Sequence, residues 1–113
     1  MTLRHKYGAQ RTARHGMKFR SKLEANACSV LEAMKERGEI LFYLRETRFD
    51  LPGNIKHNVD FTVFTKDHVY FIEAKGMEHA SGLMKRKQCE NLNNIDIHVV
   101  KKPEQIYGVL KEK

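Results

Sequence analysis

No acidic residue occurs before Glu24, and that absence is the most lopsided feature of this 113-residue chain. Residues 1–22 hold Arg4, Lys6, Arg11, Arg14, Lys18, Arg20 and Lys22 and carry the whole net charge of +7. The fourteen basic groups of residues 23–113 are balanced by fourteen acidic ones. A basic arm on a neutral body is the footprint of a polyanion-binding protein. An Arg-rich, acid-poor leader also describes a mitochondrial targeting peptide. Gly8 and Gly16 interrupt an amphipathic helix there and no serine precedes Ser21, so a binding arm is favoured. Cysteine is scarce too: Cys28 and Cys89 are too few and too far apart for a metal knuckle or a disulfide framework. The six histidines show no paired ligand spacing, which argues against zinc. No apolar run has the length of a signal-peptide core or a membrane span, so a cytoplasmic protein without membrane contact is expected.

What is present suits one domain, with residues 1–20 as the basic arm and residues 21–113 as the folded body. Ser21-Lys22-Leu23-Glu24 is a capping box, and the helix it opens runs to about Arg37 before Gly38 stops it. Leu23, Ala27, Val30, Leu31 and Met34 form its apolar stripe, with Cys28 as a small core residue. Ile40 to Leu51 reads as a strand in which Leu44, Glu46, Arg48 and Asp50 alternate with Arg45, Thr47, Phe49 and Leu51. After the turn Pro52-Gly53-Asn54, strands at about 57–65 and 68–75 are joined by Lys66-Asp67, completing an antiparallel meander. A loop from Gly76 to Gly82, a helix over about 82–93, a strand from Ile95 to Val100 and a short helix opened by Pro103 follow. The class is α/β, a mixed sheet flanked by helices.

Charged residues are costly on buried strands unless they are paired or bound to a cation. Asp60 lies on one apolar strand, HNVDFTVF, and Glu73 and Lys75 on the next, HVYFIEAKG. Period 2 puts Val69, Phe71, Glu73 and Lys75 on one face. Two carboxylates suit a hard divalent cation, and a neighbouring lysine can orient water or offset negative charge. Glu-x-Lys alone is a weak pattern, and a surface ion pair would read the same way. The VYFI run, the glycine after the lysine and the aspartate next door raise it above chance. Glu24 serves the capping box, or reaches the same metal, and its spacing does not decide between them. Lys85, Lys87 and Gln88 are either a solvated helix face or contacts to phosphate. With Tyr7, the arm's basic groups would hold backbone phosphates, which gives affinity with little sequence preference.

These residues resemble the PD-(D/E)XK nuclease superfamily, whose core is a helix, a three-stranded antiparallel meander, a helix and a further strand. Within it, Lys6-Tyr7-Gly8-Ala9, Gly16 to Ala25, Val59-Asp60-Phe61, Phe71 to Gly76 and Lys85-Arg86-Lys87 look like the small phage and prophage family DUF1064. Val59 stands where the superfamily's name has a proline, a residue often missing there. The resemblance implies a nuclease domain over 21–113 with a restriction-endonuclease-like core, working in the cytoplasm, that of a bacterial host cell if the protein is phage-encoded. It implies Asp60 and Glu73 as metal ligands, Lys75 as the catalytic lysine, Glu24 as the first-helix carboxylate and Lys85 as an auxiliary phosphate contact. The expected activity is Mg²⁺-dependent DNA cleavage, with Mn²⁺ able to substitute and the Ala74 carbonyl as a further ligand. By analogy the substrate is branched DNA, as for a junction resolvase, cut by a homodimer. The alternatives are a general or sequence-specific nuclease and a non-catalytic nucleic-acid-binding accessory protein.

Overall fold

The computed structural model describes residues 12–14 and 16–111, so Arg4, Lys6, Tyr7 and Arg11 lie outside the described residues. The elements are β1 (Thr12–Arg14), β2 (Met17–Phe19), α1 (Lys22–Glu36), β3 (Phe42–Leu51), β4 (Ile55–Phe64), β5 (Val69–Ala74), α2 (Ala80–Asn93), β6 (Ile97–Val100) and α3 (Gln105–Lys111). The fold is mixed α/β. Strands β3, β4 and β5 form the antiparallel meander, and β6 adds parallel to β5 after the α2 crossover. Thr65 and His68 close the β4–β5 hairpin across Lys66-Asp67, with the Thr65 N–H donating to the His68 carbonyl at 2.9 Å. Among the described residues no helix is long and apolar enough to cross a membrane.

Helix α1 starts and stops where its local chemistry dictates. Ser21 Oγ accepts from the Glu24 N–H at 3.1 Å, satisfying one of the unpaired donors of the first turn. At the other end Gly38 takes φ +76, a left-handed conformation that glycine adopts without penalty, and its N–H reaches the Lys35 carbonyl. The buried face is Ala25, Ala27, Cys28, Leu31 and Met34, whereas Leu23 and Val30, expected in the stripe, are only half-buried. Several boundaries also move: β3 begins at Phe42 rather than Ile40, β4 at Ile55 rather than about 57, α2 at Ala80 rather than Gly82, β6 at Ile97 rather than Ile95, and α3 at Gln105 rather than at Pro103.

The folded part begins before residue 21, inside the segment expected as a basic arm. Strands β1 and β2 pair antiparallel, and Phe19 is 1% exposed within the main core. The Arg45 guanidinium lies over the Phe19 ring at 4.1 Å and donates to the Lys18 carbonyl at 2.9 Å, which fastens β2 to the sheet. Burial of the Phe19 ring favours the docked segment and offsets part of the chain freedom lost in ordering it.

Two apolar clusters lie on opposite faces of the sheet, because the neighbours Ile72 and Phe71 of β5 belong to different ones. The first joins α1 and α3 to Tyr43, Phe61, Val63, Tyr70 and Ile72. The second joins Cys89 of α2 to Phe49, Leu51, Val59, Phe71 and Ile97. Cys28 and Cys89 are thus buried on different faces, and both are free thiols. Tyr43 and Phe49, both odd-numbered on β3, face opposite ways, and so do Phe61 and Val59 on β4. The strand pair reverses its faces between them. Glu46 and Asp60 sit at that reversal: the pairing resumes in the same register on either side, yet these two form no rung. Glu46 has φ +53, a left-handed backbone rare for a residue with a side chain.

Candidate metal centre

The reversal turns Asp60 toward the start of α1. Asp60 is 3% exposed, and its Oδ2 accepts from the Ala74 N–H at 2.9 Å. Its Oδ1 accepts from Arg20 Nη2, also at 2.9 Å. The same Arg20 nitrogen lies 3.3 Å from Glu46 Oε2 and 3.8 Å from Glu24 Oε2. Glu24, 2% exposed, does not close the capping box in its usual form. Its Oε1 accepts from the Arg20 N–H at 3.0 Å, one residue before the cap, and its buried Oε2 accepts no hydrogen bond among the described residues. One Glu24 oxygen is thus engaged at the helix start, and the other is left without a hydrogen-bond donor.

Glu24, Glu46 and Asp60 each offer a carboxylate oxygen within 4.8 Å of the others, so the cluster can hold a metal ion. Two of the three are buried and Glu46 is exposed. Burial pushes the Asp60 carboxyl up to about 7; the Ala74 N–H and Arg20 work against that rise, and Glu24 and Glu73 add to it. Burial also raises Glu46. Partial burial opposes the Arg20 charge, but Glu46, Asp60 and Glu24 outweigh it and hold the guanidinium above its ordinary value. An orphaned buried oxygen among carboxylates that resist ionisation is the environment a divalent cation relieves. A small pocket of about 160 Å³ opens here, lined by Arg20, Ser21, Glu24, Asp60, Ala74 and Lys75. A larger cavity of about 410 Å³, bordered by Met34, Tyr70 and Tyr107, contains none of the cluster.

The structure brings Asp60, Glu24, Ala74 and Lys75 together, and it does not bring Glu73 with them. Glu73 is 1% exposed, and its Oε2 meets His57 Nε2 in a buried contact. Its negative field still reaches Asp60. Glu73 and Lys75, expected on one face, have different surroundings: Glu73 lies within β5 against His57, whereas Lys75, past the strand's end at Ala74, borders the pocket. Beyond that point Lys75 is released from strand alternation, although its N–H still donates to the Val100 carbonyl at 3.0 Å. Sequence reasoning missed two members. Glu46 was read only as one position of a regular alternating strand, and Arg20 was grouped with groups for phosphate contact rather than with the acids.

The other expected DNA contacts are dispersed. Lys18 and Lys22 are exposed near the pocket's helix, and Arg14 lies in β1. Lys85, Lys87 and Gln88 are exposed on α2 and border no part of the pocket. Within that run Arg86 is the exception: it is buried and paired with Glu78.

The family described as "Protein of unknown function (DUF1064)" matches residues 4–105. No curated protein and no solved structure matches the chain.

Proposed function

The chain belongs to the DUF1064 family, and we propose that it is a metal-dependent DNA endonuclease of the PD-(D/E)XK superfamily with a restriction-endonuclease-like core. The observation that carries this reading is the convergence of Glu24, Glu46 and Asp60, two of which, Glu24 and Asp60, line one pocket with Lys75. Glu24, Glu46 and Asp60 would hold Mg²⁺ or Mn²⁺, for which an all-oxygen donor set is the natural choice. When bound, such an ion supplies Lewis acidity toward a phosphodiester and lowers the pKa of a water. The Ala74 N–H fixes the orientation of Asp60. Lys75, at the pocket's edge, presents its ammonium to the attacking water or to phosphate oxygen. The basic groups of the N-terminal segment, with Lys85, Lys87 and Gln88, supply contacts to backbone phosphates. Binding through phosphates follows backbone geometry, so branched DNA, where several backbones converge, is the favoured substrate. A homodimer would present two centres to a two-fold junction.

The test is cleavage of a four-way junction and of its linear arms, in Mg²⁺ and in EDTA, by the native protein, Asp60→Asn and Lys75→Ala. Mg²⁺-dependent cutting that prefers the junction is expected. Asp60→Asn should be inactive, and Lys75→Ala should lose at least about a hundredfold, as for a positioned acid–base or electrostatic group. Cutting that survives both EDTA and Asp60→Asn would refute the site. Tight junction binding with no cutting of any DNA would make the protein an accessory binder.

A further inference from the structure

Arg20 combines a fixed backbone with a side chain that is largely exposed. Phe19 before it is locked in the core, Ser21 after it caps α1, and its own N–H donates to Glu24 Oε1. Its side chain is nonetheless 61% exposed, and one guanidinium nitrogen touches all three carboxylates of the cluster. That nitrogen sits among the same oxygens that a divalent cation would take, including Glu24 Oε2, which has no hydrogen-bond donor of its own. A guanidinium and a metal ion cannot share that point, since two cations at contact distance repel strongly even where solvent screens them.

We infer that Arg20 is an exchangeable counter-ion of the acidic cluster, holding its carboxylates in the metal-free protein and swinging out to bind phosphate when a divalent cation enters. The inference rests on the metal centre proposed above. The backbone need not move for the exchange, because the anchors of Arg20 are Phe19, Ser21 and the Glu24 Oε1 bond, none of which involves the guanidinium. Once outside, the planar fork is suited to paired hydrogen bonds with phosphate oxygens. Metal loading and phosphate capture are then two halves of one event. Substrate is gripped at the pocket only after the ion that would act on it has arrived.

The experiment is Mn²⁺ titration, read by the loss of the free-ion EPR signal, on the native protein, Arg20→Gln, Arg20→Lys and Asp60→Asn. Removing the competing charge should tighten Mn²⁺ binding about five- to tenfold in Arg20→Gln, the scale of one partly exposed ion pair. Arg20→Lys should fall between, because it keeps the competing charge but places it on a flexible, more strongly hydrated ammonium. Junction affinity measured with and without Ca²⁺ should rise with the ion in the native protein and rise less in Arg20→Gln. Equal or weaker Mn²⁺ binding by folded Arg20→Gln overturns the inference and leaves the metal centre standing. If Arg20→Gln does not fold, Arg20→Lys with native affinity overturns it. No binding by any of the four proteins overturns the metal centre and the inference together.

Discussion

Asp60 should make the metal-free protein less stable as pH rises, the reverse of the usual behaviour of a paired carboxylate. Its carboxyl is raised from an ordinary 3.8 to about 7, chiefly by burial. The folded state therefore binds this proton more tightly than the unfolded chain does. Stability from this group is complete below pH 3.8 and is lost as pH climbs through about 7. The shift is roughly three pH units at about 1.4 kcal/mol each, giving about 4 kcal/mol at most. About 2–3 kcal/mol of that falls between pH 5 and 8, equivalent to roughly 10 °C in Tm for a domain of this size. The assay is urea unfolding in EDTA followed by circular dichroism at pH 5, 6, 7 and 8. Asp60→Asn cannot titrate, so its curve should flatten to the slope left by other groups such as Glu46, also raised by burial. Above pH 7 the variant should be more stable than the native protein. Adding Mg²⁺ should restore the native protein most at high pH, where the ion replaces the missing proton. A native curve that is flat, or an Asp60→Asn curve as steep as the native one, would falsify the assignment of Asp60 as a carboxylate strained by burial.

Glu46→Gln should weaken Mn²⁺ binding at least about tenfold, as loss of a charged ligand, while Glu73→Gln should chiefly lower Tm by breaking the buried contact with His57. The opposite pattern would return the ligand set to the one implied by the spacing of Asp60 and Glu73. At the same position, Glu46→Gly should be more stable than Glu46→Ala by about 1 kcal/mol, since φ +53 suits glycine. Strands normally favour alanine over glycine, so an alanine variant of equal or higher urea midpoint would mean that the left-handed turn is absent. Deleting residues 1–11 should reduce the slope of log K against log salt for DNA by about 3, for the loss of Arg4, Lys6 and Arg11. Deleting residues 1–20 also removes Phe19 from the core and should lower stability by about 3–5 kcal/mol; an unchanged melting curve would show β1 and β2 to be dispensable.

The parts of this fold that were legible in the sequence are the parts fixed by neighbours along the chain. Ser21 and Gly38 bound α1 because a hydroxyl acceptor and a left-handed glycine act within a turn of where they stand. Lys66-Asp67 joins β4 to β5 for the same local reason. The centre was only half legible. Asp60 and Lys75 were found as charges on apolar strands, and Glu24 through its place in the capping box. Glu46 was hidden by a coincidence of coverage. On β3 the even-numbered residues stay exposed on both sides of Glu46, because the α1 side is covered along one half of the strand and the α2 side along the other. A period of 2 thus runs through the reversal undisturbed, and the alternation that marks the strand conceals the point where it turns over. Glu73 and Lys75 show the converse. Their spacing puts both on one face of an ideal strand, but the strand ends between them, so one is buried against His57 and the other borders the pocket. Alternation places a side chain only while the ladder lasts, and a site built at a reversal and at a strand end lies where that rule gives out.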